Sequence, residues 1–345
     1  MSPTSEIILL ARLNFRRKSL YRAESMEAVN WNKQDDIIFM YWNQNIQQFW
    51  LDTEFKVSKD IGDWNTLSEK EKDTYKKVLA GLTGLDTQQG NVGMNVLGMH
   101  VEDMRLQAVY AYMSFIEQVH AKSYSTIFTS LLDSRDTDYL LDEWVPQHPR
   151  LTYKANKILN YYNKLVTLTP KKYDIYMAHV ASVFLESYLF YSGFFYPLYL
   201  AGQGKMTTSG EIIRKIMLDE TIHGSCVGYS AQEIYKTLTP NEQKQADEEV
   251  ERILLELLEN EIAYTHELYD PIGLADEVIN YVKYNGNRAL QNLGRPAYFE
   301  HDPINPIIEN ALNTASKNHD FFSVKGDSYV VPTNVEEMTD DDWDF

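Results

Sequence analysis

Two glutamate–histidine pairs, Glu117 with His120 and Glu220 with His223, are the residues of this 345-residue chain whose spacing first suggests chemistry. Of its eight histidines, only these two have Glu three positions earlier. On a helix, side chains at i and i+3 share one face, about 5–6 Å apart. Each pair can therefore offer a carboxylate oxygen and an imidazole nitrogen to one point, which is half of a metal site. One such pair is ordinary in a helical protein. Here, however, each follows an apolar helical stretch carrying one isolated acid: Asp86 lies 31 residues before Glu117, and Glu186 lies 34 before Glu220. Either interval suits one long helix running out and a second returning.

The set that results is Asp86, Glu117, His120, Glu186, Glu220 and His223, drawn from four helices. Four carboxylates buried close together cannot all stay ionised unless cations neutralise them. Four negative charges with two neutral imidazoles match two divalent ions, and oxygen-rich ligation suits iron or manganese better than zinc. A lone acid from each of two helices, with Glu-x-x-His from each of two others, is the ligand pattern of ferritin-like carboxylate bundles. In this chain one of the lone acids is Asp. The 69 residues from Glu117 to Glu186 leave room for a hairpin near 134–166, so a plain up-and-down bundle is not expected.

The elements that must hold these residues are helical. Only 16 Gly and 11 Pro occur, and the intervals between them lack short alternating apolar runs. Ser68 to Glu71 and Thr239 to Glu242 are capping boxes, the second with Pro240 at the first helical position, and Thr169-Pro170 resembles a third start. The pattern predicts helices near 68–98, 101–130, 134–143, 152–166, 171–200, 208–236 and 240–266, with shorter ones before and after. Residues 175–204 hold one charge, Glu186, in 30 positions. Pro197, several polar positions and that mid-segment carboxylate favour a helix buried in a bundle over a membrane span. After Phe322 periodicity is lost, and the chain ends in an acidic run from Glu336 to Phe345. The expectation is an all-α, ferritin-like bundle over residues 1–320 with a dinuclear site in its core, followed by a flexible acidic tail, 321–345.

Composition narrows the function classes. With 32 Lys+Arg against 50 Asp+Glu the net charge is −18, which repels phosphate backbones and argues against nucleic-acid binding. A single cysteine, Cys226, excludes an intramolecular disulfide framework or dithiol chemistry within the chain. The N-terminal apolar run is too short for a signal-peptide core, so a cytoplasmic protein is expected.

Several stretches carry a resemblance beyond the ligand set. They are Ala28–Lys33 (AVNWNK), Gly81–Thr87 (GLTGLDT), Phe115–Ser125 (FIEQVHAKSYS), Ser182–Ser187 (SVFLES), Leu218–Gly224 (LDETIHG) and the terminal DWDF. On these, over nearly the whole chain, the sequence resembles the small, radical-generating subunit of class I ribonucleotide reductase, most closely its class Ib branch. All six ligand positions of that pattern hold ligand-competent residues. Tyr124, four positions after His120 and seven after Glu117, shares the ligand face. By itself it reads as one of 24 tyrosines packed in a core; the resemblance makes it the stable tyrosyl radical. Phe190, Phe194 and Ile216 can face the same interior, and the resemblance makes them the apolar pocket around the radical. Ile116, Gln118 and Gly84 depart from the residues most expected beside the ligands.

The resemblance further implies a transfer path from His120 through Asp219 to Trp50, with Tyr329 as a relay in the tail. The tail, with Trp343 and Phe345 as apolar anchors, would dock on the large catalytic subunit. One cysteine cannot supply the several thiols that ribonucleotide reduction consumes, which independently places that step on another chain. The implied cofactors are two manganese or two iron ions and the radical. The implied partners are a second copy of the chain and, for manganese, a flavodoxin-like activator. Competing readings are a stand-alone dimetal oxidase, which needs neither relay nor tail, and an iron-storage or structural scaffold, which does not need Tyr124.

Overall fold

The structure is a computed structural model that describes residues 28–31, 36–167 and 169–308. Tyr329, the segment 321–345 with Trp343 and Phe345, and the expected boundary near 320 lie outside the described residues. Nine helices of eleven or more residues occur among the described residues: α1 (Ile37–Gln47), α2 (Glu69–Gln88), α3 (Met104–Leu131), α4 (Pro149–Asn163), α5 (Lys172–Phe184), α6 (Tyr191–Gly202), α7 (Thr207–Tyr235), α8 (Pro240–Tyr269) and α9 (Ala275–Asn292). No strand occurs among them. The fold is the expected all-α bundle. Helix α2 packs on α3, α5 and α6 pack on α7, and α2–α6 and α3–α7 contacts join the two pairs. The α4 hairpin occupies the long interval between Glu117 and Glu186, packing against α5 and α8.

Local sequence explains several boundaries. At the start of α2, Ser68 Oγ accepts from Glu71 N (3.4 Å) while Glu71 Oε2 accepts from Ser68 N (2.7 Å). Thr239 and Glu242 form the same reciprocal cap on α8, with Pro240 inside the first turn. Thr169-Pro170 does not start its helix: α5 begins at Lys172 after an extended Lys171 that offers no side-chain cap. No helix among the described residues is long and apolar enough to cross a membrane. The apolar stretch around Glu186 is a buried layer of the bundle, split between α5 and α6.

Two departures from regular helix flank the ligand positions. Residues Gln89–Gly93 follow Asp86 as a π-helical turn, and Leu185–Leu189, which includes Glu186, forms another. The single helix expected over 171–200 is thus interrupted at its carboxylate. Such π turns widen the helix by a residue and redirect the side chains they carry.

Helix α7, which carries Glu220 and His223, is capped from a distance. Its N-cap residue Met206 sits in the left-handed region (φ 51°) and its side chain makes no cap. Instead Asp63 Oδ2 accepts from Met206 N (2.9 Å), and Asp60 accepts from Thr208 N (3.0 Å), Ser209 N (2.7 Å) and Ser209 Oγ (2.5 Å). Since a cap is worth roughly 1–2 kcal/mol, Asp60→Ala should destabilise the metal-free chain by about that much in urea unfolding, with Asp60→Asn losing less.

Candidate metal centre

All six predicted ligands are fully buried, and they converge. Ligand atoms of Asp86, Glu117, His120 and Glu220 lie within 4.8 Å of one another, as do those of Glu117, Glu186, Glu220 and His223. The two groups share Glu117 and Glu220, so both carboxylates are within reach of either position. Asp86 comes from the last turn of α2, Glu117 and His120 from α3, Glu186 from the π turn after α5, and Glu220 and His223 from α7.

The polar atoms at the centre are poorly satisfied by protein. Asp86 Oδ1 and Oδ2, Glu117 Oε2, His120 Nδ1, Glu186 Oε2 and Glu220 Oε1 have no hydrogen-bond partner. His120 Nδ1 approaches Glu220 Oε1 at 2.9 Å without hydrogen-bond alignment. His223 Nδ1 faces Glu117 Oε1 (2.8 Å) and Glu220 Oε2 (3.1 Å). Buried carboxylate oxygens without donors are costly in a folded core. A set of oxygen donors with two imidazoles, clustered this closely, fits two divalent cations.

Charge in the metal-free site is resolved by protons. Burial, then the charges of Glu117 and Glu220, pushes Asp86 well above the usual carboxylate range, and the same causes raise Glu186. Burial opposes ionisation of Glu220 too, but Glu186 and the imidazoles of His120 and His223 outweigh it and hold Glu220 low. Burial disfavours charge on both imidazoles, yet Glu220 and the neighbouring acids raise both well above the ordinary histidine value. The metal-free cluster therefore holds protons that cations must displace.

Around the cluster the structure gives each remaining site residue a place. His120 Nε2 lies 3.1 Å from Asp219 Oδ2, and Trp50 Nε1 donates to the same oxygen at 2.7 Å. Because that oxygen accepts, Nε2 carries the proton and Nδ1 faces the carboxylates, the arrangement that orients a metal-binding imidazole. The Trp50 and His120 rings are stacked, with centroids 6.1 Å apart. Tyr124 is fully buried with an unpartnered hydroxyl, and burial, then the charge of Asp86, raises its pKa well above 10. Phe190, Phe194 and Ile216 are fully buried on α6 and α7 and the turn before α6. Cys226 is buried as well, which pushes its thiol up to about 12, in keeping with a small packed side chain.

Gln89 escaped the sequence reading. It is fully buried and its amide Nε2 bonds Glu186 Oε1 and Ser182 Oγ, the latter at 2.9 Å. Its spacing, three residues after Asp86, puts it on the buried face of the same helix, but a glutamine there carries no metal-ligand signal of its own.

These features define a dinuclear carboxylate–histidine site within a helical bundle. The family model described as "Ribonucleotide reductase, small chain" matches residues 28–306. The chain is 48% identical over 324 residues to the ribonucleoside-diphosphate reductase subunit beta of Bacillus phage SPbeta, covering 92% of this chain and 96% of that one. It is 39% identical to the ribonucleoside-diphosphate reductase 2 subunit beta of Escherichia coli, over 93% and 98% of the two chains. The crystal structure of Streptococcus sanguinis dimanganese(II)-NrdF superposes with a TM-score of 0.78 at 40% identity, covering 84% of this chain and all of that one. The chain belongs to the ribonucleotide reductase small-chain family, in its class Ib branch. It serves the reduction of ribonucleoside diphosphates to deoxyribonucleotides as the radical-generating subunit of a two-subunit, dimeric assembly, which sets aside the stand-alone oxidase and storage readings.

Cation uptake must release protons from Asp86, Glu186 and the imidazoles, so affinity rises with pH. Mn(II) titrations at about pH 6 and about pH 8 should differ by about tenfold per pH unit for each proton released, with proton release visible in a pH-indicator dye. A pH-independent affinity would contradict this protonation pattern.

Proposed function

We propose that Asp86, Glu117, His120, Glu186, Glu220 and His223 ligate the two metal ions, that Tyr124 is the radical residue, and that Trp50, Asp219 and Tyr329 carry the radical outward. The observation that carries this reading is the bonded path from the cluster to Trp50, just beyond α1. His120 and Trp50 both bond one oxygen of Asp219, so a metal-facing imidazole is linked to an indole by two hydrogen bonds. When bound, the metal pair supplies the oxidising power. Tyr124, held as a neutral phenol, is the side chain placed to be oxidised there, and Asp86 is the carboxylate whose charge bears most on that phenol. Phe190, Phe194 and Ile216 exclude water around it.

The chain's own manganese is supported by the dimanganese state of its Streptococcus sanguinis relative; iron offers the same ligand preferences. With manganese, a flavodoxin-like activator delivers the oxidant. Residues 1–320 act as the radical-generating unit, and 321–345 dock on the large subunit through Trp343 and Phe345. The protein works in the cytoplasm.

Two variants test the path and the tail. Trp50→Phe keeps an aromatic ring but removes the donor to Asp219. It should retain the metals and the tyrosyl signal while turnover with the large subunit falls more than about a hundredfold, the scale on which a misplaced reaction partner acts. Deleting residues 321–345 should abolish binding to the large subunit and leave the radical yield unchanged. Wild-type turnover in either variant would refute the corresponding role.

A further inference from the structure

We infer that Gln89 is a positioning residue for Glu186: its side-chain amide, oriented by Tyr162, holds one carboxylate oxygen so that the other faces the metal pair. The inference rests on Glu186 being a ligand, as proposed above.

Gln89 uses its amide fully. Nε2 donates to Glu186 Oε1 and to Ser182 Oγ, the latter at 2.9 Å, while Oε1 accepts from Tyr162 Oη at 2.7 Å. Because the Tyr162 hydroxyl donates to the amide oxygen, the nitrogen is the end left to face Glu186, and it is the end required once a cation leaves that carboxylate ionised and accepting only. Tyr162, fully buried, anchors the other end. Glu186 Oε2 is left without a partner and lies 3.7 Å from His223 Nδ1, on the ligand side.

The backbone accommodates this contact from both directions. Gln89 opens one π turn and Glu186 sits in the other. A β-carbon at Gly93 would collide with the side-chain oxygen of Gln89, and one at Gly90 would collide with Glu117 Cβ and the Gln118 amide. Glycines thus stand where the amide and the ligand helix approach most closely. Burying an amide costs free energy unless its groups are bonded, and here both ends are bonded, the oxygen by Tyr162 and the nitrogen to Ser182 and the ligand carboxylate. Of the two ligand groups, only the one with His223 contains Glu186. The effect of Gln89 should therefore fall on one ion of the pair.

The test is Mn(II) titration of metal-free, full-length protein, with free Mn(II) read by electron paramagnetic resonance and the melting temperature of each metal-free variant recorded alongside. Wild type should take up two ions per chain. Gln89→Leu should weaken one of them by about 10–100-fold, the usual cost of removing a group that orients a ligand, and leave the other unchanged. Glu186→Ala should lose the same ion, and Tyr162→Phe should show a smaller loss in the same direction. A Gln89→Leu protein with two wild-type affinities would overturn the inference, as would one that weakens both ions in step with its melting temperature. If leucine is not tolerated, Tyr162→Phe decides by the same criteria. A wild-type chain that fails to bind two ions would instead overturn the ligand assignment on which the inference depends.

Discussion

Four carboxylates and two imidazoles in a core that solvent does not reach are the constraint from which the rest of this molecule follows. All six side chains are fully buried, and the central oxygens lack protein donors. Like charges at such distances in a low-dielectric interior are strongly unfavourable. Protons solve the problem in the metal-free chain, and cations solve it in the working one. Metal binding and folding are therefore coupled: ions that bind the folded cluster and not the unfolded chain stabilise the fold by mass action. The apolar helices around the cluster keep its oxygens away from solvent.

The same constraint organises function beyond the cluster. His120 must present one nitrogen inward, so its other nitrogen needs an acceptor, and Asp219 provides one on the neighbouring position of the ligand helix α7. Asp219 in turn has capacity for a second donor, which Trp50 fills. One carboxylate oxygen thus orients His120 and ties it to Trp50 through two hydrogen bonds. Tyr124 sits on the opposite requirement: it is buried, neutral and unpartnered, an environment in which an oxidised phenol meets neither water nor thiols. The chain's one thiol, Cys226, is sealed in the core, so the thiol chemistry of nucleotide reduction belongs to the partner subunit.

Much of this was legible in sequence because it rests on periodicity. The i, i+3 spacing of Glu117 with His120 and of Glu220 with His223 survives folding unchanged, since both pairs lie within regular helix. The capping boxes of Ser68 and Thr239 formed as written. What escaped was non-local or irregular. The cap of α7 comes from Asp60 and Asp63, about 145 residues upstream, and no local pattern announces it. Asp86 and Glu186 were found as lone acids in apolar runs, but the π turns beside them were invisible, and so was the bond that Gln89 makes to Glu186. Tyr124 and the Trp50 path were singled out by resemblance, because spacing alone does not separate a radical tyrosine from the other buried tyrosines of this core.

Everything proposed for this chain depends on oxidation of Tyr124 at the loaded cluster. The most direct measurement is electron paramagnetic resonance on the chain loaded with Mn(II) and treated with oxygen and a reduced flavodoxin-like activator, or loaded with Fe(II) and oxygen. Wild type and Tyr124→Phe are to be compared at equal metal content. A tyrosyl signal coupled to a two-metal centre is expected in wild type and not in Tyr124→Phe, with both ions retained. Full metal uptake without a radical under either route, or an undiminished signal in Tyr124→Phe, would contradict it.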